Sequence, residues 1–62
     1  MQHLTETQWS SRFVTRLGEL LPWVSARDAE RSADDAYPDT FDLEPEDAAE
    51  IYVDELPPLN GP

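Results

Sequence analysis

The chain has 62 residues and a mass of about 7.1 kDa, enough for one small domain and not for two. Fourteen Asp and Glu stand against four Arg and no Lys, a net charge of −10 that disfavours direct contact with nucleic-acid phosphates. There is no cysteine and a single histidine, His3, so disulfides, thiol chemistry, thiolate zinc sites and the usual multi-histidine metal sets are excluded.

Residues 4 to 21 carry the clearest helical pattern. Thr5 and Gln8 have capping-box spacing, with Leu4 and Trp9 at the positions of a hydrophobic staple, so a helix is expected over 6–20. At 100° per residue Trp9, Phe13, Leu17, Leu20 and Leu21 share one face, with Arg12 and Arg16 along its Trp9 edge. Pro22 ends the helix because it lacks an amide proton and disfavours helical geometry at Leu21. The stems of Arg12 and Arg16 are expected to lie along the apolar edge and their heads to pair with acids of the third helix. The loop that follows carries Trp23, which suits either the core or a partner's surface; Trp9 is assigned to the core.

Ser25 caps a second helix expected over 26–37, with Asp28 in its first turn, where the helix dipole favours negative charge. Its apolar stripe is Ala26, Ala29, Ala33, Ala36 and Tyr37, a shallow surface that lets another backbone approach closely. Arg27 and Arg31 stand three or four residues from Glu30, Asp34 and Asp35, spacings at which each ion pair is worth about 0.2–0.5 kcal/mol. Pro38 is expected to close this helix.

The connection holds two apolar anchors, Phe41 and Leu43, and Pro45 suits the first turn of a third helix over 45–56, capped from Glu44 or Asp42. Ala48, Ala49, Tyr52, Val53 and Leu56 form its apolar face, with Ile51 at the border. Pro57 and Pro58 stop it, leaving 57–62 as a flexible tail. The expected architecture is therefore all-α: one domain over 1–56, a small bundle of three short helices.

Charge is distributed unevenly: residues 1–31 hold all four Arg and four acids, and residues 32–62 hold ten acids and no Lys or Arg. Glu46, Glu50 and Asp54 follow one another at spacings of four, with no base three or four residues away, so neighbouring pairs repel by about 0.2–0.5 kcal/mol. A basic protein surface would relieve that repulsion, with Asp39, Asp42 and Glu44 extending the field; these six residues are the candidate partner-binding set. Such a module would act as an adaptor, or as an inhibitor that presents phosphate-like carboxylates to a nucleic-acid groove. The alternative is a solubilising charge on an accessory or homo-oligomeric protein that dimerises through the Trp9–Phe13–Leu17 face.

No catalytic group is assigned. His3 lies outside the expected helices with no nucleophile or orienting partner, and 62 residues give little interior in which to desolvate one carboxyl of a pair. Asp42, Glu44, Glu46 and Glu50 alternate like ligands of a calcium loop, but the sixth position is Asp47, not Gly, and the twelfth is Val53, not Glu, so no metal is assigned. Phe41-Asp42-Leu43-Glu44 before an acidic helix resembles the third-helix approach of acyl carrier proteins. That family's attachment serine follows Asp, whereas here no Asp-Ser pair occurs and Ser32 precedes Ala33, so no cofactor is assigned. The longest apolar run is five residues, Leu20 to Val24, against about 20 for a membrane span, and the expected location is the cytoplasm.

Overall fold

The computed structural model describes residues 4–55, and these form three helices: α1 (Glu6–Leu20), α2 (Ala26–Thr40) and α3 (Pro45–Glu55). His3, Leu56 and the tail expected over 57–62 lie outside the described residues. α1 begins with the reciprocal cap read from the sequence. The Gln8 amide donates to Thr5 Oγ1 and the Thr5 amide to Gln8 Oε1, each at 3.1 Å, so two amides that a helix start leaves without partners are satisfied. It ends at Leu20 as Pro22 requires, with the Leu21 amide closing on the Leu17 carbonyl at 2.7 Å.

Ser25 caps α2 by accepting from the Asp28 amide at 3.1 Å. α2 then runs past Pro38 to Thr40, three residues beyond the end expected at 37. In the last turn the proline removes only the bond that its own amide would have made to the Asp34 carbonyl, and both residues are exposed, so water can serve that oxygen. One contact lies within the extra turn and one just before it. Thr40 Oγ1 donates to the Ala36 carbonyl at 2.7 Å, and the Tyr37 ring stands edge-on to Trp9 with centroids 5.2 Å apart. Pro45 is buried in the first turn of α3, with the Glu44 carbonyl accepting from the Ala48 amide at 2.9 Å.

Trp9, Phe13 and Leu17 of α1, Ala29 and Ala33 of α2 and Ala48 and Ala49 of α3 make the core, and no polar or charged residue is buried among the described residues. Ala26, placed by periodicity on the inner stripe, is exposed, so that stripe starts one turn later. Trp9 stacks on Phe13 at 5.2 Å, and Phe13 meets Tyr52 of α3 edge-on at 5.9 Å. Alanines let α2 and α3 come close to α1. The same small side chains leave α2 and α3 hardly touching each other, so α1 is the central helix.

Candidate functional site

The acidic column on α3 is where the sequence placed the functional interest, and its geometry divides it. Arg12 holds Glu46 through a two-bond fork, Nε to Oε2 at 2.9 Å and Nη2 to Oε1 at 2.6 Å, and Nη2 also reaches Glu44 Oε1 at 3.2 Å. One turn on, Arg16 Nη2 donates to Glu50 Oε2 at 2.8 Å while Nη1 donates to Glu19 Oε1 at 3.0 Å. Forked, charge-assisted bonds of this kind are stronger than neutral ones and fix orientation. The Arg12 hydrogen bonds hold the Glu46 carboxyl below its ordinary pKa of 4.5, against a smaller opposing effect of desolvation. Both guanidiniums are correspondingly raised, Arg12 chiefly by its hydrogen bond to Glu46 and Arg16 chiefly by its hydrogen bond to Glu50.

The pairing that the Arg12 and Arg16 positions implied is thus present, and it neutralises two members of the column that local spacing left without a base. The register explains why. Trp9 Nε1 donates to the Leu43 carbonyl at 3.1 Å, Arg12 meets Glu46 and Arg16 meets Glu50, each across 34 residues, so α1 and α3 run parallel with a constant offset. The same offset puts Leu20 opposite Asp54. The ladder therefore stops, and Asp54 is exposed without an ion pair among the described residues. The cost of this arrangement falls on Arg16, whose Nε is buried with no acceptor among the described residues.

Asp39 near the end of α2 and Asp42 in the α2–α3 connection are exposed and also make no ion pair among the described residues. Of the six candidate residues the structure therefore locks Glu44, Glu46 and Glu50 into the α1–α3 seam and leaves Asp39, Asp42 and Asp54 free. Arg27 and Arg31 make none of the ion pairs that their spacing to Glu30, Asp34 and Asp35 allows. At exposed positions a few tenths of a kcal/mol, about 0.2–0.5, does not hold a long side chain still. Glu19, Glu44, Glu46 and Glu50 are the paired acids; the other ten of the fourteen make no ion pair among the described residues.

The apolar face of α1, which the homo-oligomer reading relied on, is covered within the chain: Trp9, Phe13 and Leu17 are at most 1% exposed. Among the described residues the large apolar side chains that remain accessible are Trp23 at 66%, Phe41 at 59%, Ile51 at 42% and Leu43 at 37%. Phe41 and Leu43 were expected to anchor the connection, but its anchor is the Leu43 carbonyl under the Trp9 indole, and Phe41 packs only a tilted face against Tyr37 at 6.0 Å.

Sequence reasoning passed over a depression between α2 and α3, of about 170 Å³, with Ala36, Ala48, Ile51 and Tyr52 at its floor and Asp35, Asp39 and Glu55 at its rim. The larger hollow, between α1 and α2, is more open, with Val14 among hydroxyl side chains and the acids Glu6, Glu30 and Asp34 at its edge. Among the described residues no group of three or more His, Asp and Glu is arranged to hold a metal ion, and no helix is long and apolar enough to cross a membrane. No protein-family model, curated protein or solved structure matches the chain.

Proposed function

We propose that this chain is a non-enzymatic interaction module that docks on a basic protein surface. The observation that carries the reading is the way its charge is spent: two of four arginines fasten α3 to α1, and ten carboxylates are left at the surface without an ion pair among the described residues. Like charges held on a folded scaffold lose repulsion when a basic surface covers them, which makes association fast and salt-sensitive. Asp39, Asp42 and Asp54 are the contacts of choice, because each is exposed and free. Glu44, Glu46 and Glu50 shape the field while their primary work is to hold the seam.

The test follows from that division. Reversing Glu46 and Glu50 would damage the fold as well as any docking surface, so the informative variant is Asp39→Lys with Asp42→Lys and Asp54→Lys. The immobilised chain, exposed to native lysate at low and high salt, is expected to retain basic proteins at low salt only, and the triple variant to lose them with its helical circular dichroism unchanged. A triple variant that captures the same proteins as the parent overturns the reading.

A further inference from the structure

We infer that the depression between α2 and α3 is a docking groove for a basic amphipathic helix of a partner protein, which would lie against the bundle as a fourth helix. This deepens the proposed function and rests on it. Three observations converge. The groove is lined by residues of α2 and α3 alone, on the side of the pair away from α1, because those two helices pack along α1 and hardly along each other. Its floor is mainly apolar, formed by Ala36, Ile51 and Tyr52 over the buried Ala48 with Thr40 beside them, and Ile51 is 42% exposed although it is the largest aliphatic side chain of α3 facing this side. Its rim is of one sign: Asp35 and Asp39 stand on one bank and Glu55 on the other, none of them in an ion pair among the described residues and none with an arginine among the groove's lining.

An apolar strip between two acidic banks is the complement of a helix with aliphatic residues at i, i+3, i+4 and i+7 and Lys or Arg on both flanks. The aliphatic residues cover Ile51 and the alanine floor, and the flanking cations reach the rim with their stems lying along the apolar edge. A second copy of this chain is a poorer match: its unpaired cations among the described residues are Arg27 and Arg31, both set among the acids of α2, and the alanines beside them, Ala29 and Ala33, are already buried against its own α1. The 170 Å³ volume suits one or two aliphatic side chains at a time, and the charged flanks supply the remaining affinity.

The isotope-labelled full chain, titrated at low salt with two synthetic peptides of about 14 residues, tests this. One carries Leu at i, i+3, i+4 and i+7 with Lys elsewhere; the other has the same lysines with every Leu replaced by Ser. The amphipathic peptide is expected to shift the amide resonances of Ala36, Ala48, Ile51 and Tyr52 and to bind roughly tenfold more tightly than the polar one, the factor that burying about one aliphatic side chain supplies. Ile51→Ser, a neutral change at a half-exposed position, should erase that tenfold advantage, and Asp35→Lys with Glu55→Lys should weaken both peptides. Equal affinity for the two peptides, or shifts centred on Trp23 and Phe41, overturns the groove while leaving the acidic-module reading standing. Groove resonances that move with protein concentration in the absence of peptide assign the groove to a second copy and overturn the stated occupant. Failure of both peptides to bind overturns the groove and the acidic-module reading together.

Discussion

The two flanks of α3 are built on opposite principles. Toward α1, α3 is fastened by aromatic contacts, by the indole of Trp9 donating to the Leu43 carbonyl and by a ladder of arginine–carboxylate bonds. Toward α2 it meets alanines across an open groove edged by free carboxylates. A chain with four arginines cannot neutralise fourteen acids, so where those arginines go decides which face is structural and which is available. Here two are concentrated on one seam. The result is a scaffold held from one side, and the opposite side is left with both exposed apolar surface and unbalanced charge.

Three changes would break or sharpen this contrast. The largest effect is expected from Phe13→Ala, which removes a ring at 0% exposure that touches both Trp9 and Tyr52. Losses of about 3–5 kcal/mol are typical for such a site, comparable to the whole stability of a domain this small, so thermal melting by circular dichroism should show little cooperative transition. A cooperative melt close to that of the parent would mean that α1 is not the organising helix.

Next in size is Arg12→Gln, which unties the fork to Glu46 and the bond to Glu44. Because the folded chain holds the Glu46 carboxyl below 4.5, that group binds fewer protons folded than unfolded. Its stabilising contribution is therefore complete above about pH 4.5 and is lost as pH falls through its depressed folded value. Urea midpoints for the parent and Arg12→Gln should differ at neutral pH and converge in acid. A gap that is constant from neutral to strongly acidic pH would assign the effect to lost packing of the arginine stem, not to the ion pair. The smallest effect is expected on the open flank: Ile51→Ser should change stability by no more than about 0.5–1 kcal/mol, because the side chain is 42% exposed. A loss of several kcal/mol in the urea midpoint would show Ile51 to be part of the core.

Local signals were sufficient for the helix starts and for the inner face of α1. Thr5 with Gln8 and Ser25 before Asp28 cap because each bond spans three residues, and Trp9, Phe13 and Leu17 repeat at four. The end of α2 was not legible. Pro38 reads as a stop, yet in a last turn a proline forfeits only its own amide bond, so the helix runs on to Thr40, whose hydroxyl donates to the Ala36 carbonyl. The pairing of α3 was half legible. Arg12 and Arg16 share their spacing of four with Glu46 and Glu50, a match that marks two helices able to lie side by side in either direction, yet nothing near Glu46 in the chain reveals the base that opposes it. Spacing misled at Arg27 and Arg31, where it marks who can meet but not whether meeting outweighs the freedom of an exposed side chain. The α2–α3 groove had no signature of its own, since it arises from how far apart two alanine-lined helices settle once a third lies across them.

The two tryptophans finish at opposite extremes, Trp9 at 1% exposure and Trp23 at 66%. One indole therefore emits from an apolar surrounding and the other from water, so the natural chain contains its own pair of optical reporters. Blue-edge emission follows the integrity of the bundle, and red-edge emission, with its accessibility to iodide, follows whatever comes to rest on the α1–α2 turn. Because these signals originate at separate places, and neither indole lines the α2–α3 groove, loss of structure and a contact at the α1–α2 turn can be told apart in one cuvette without attaching a dye.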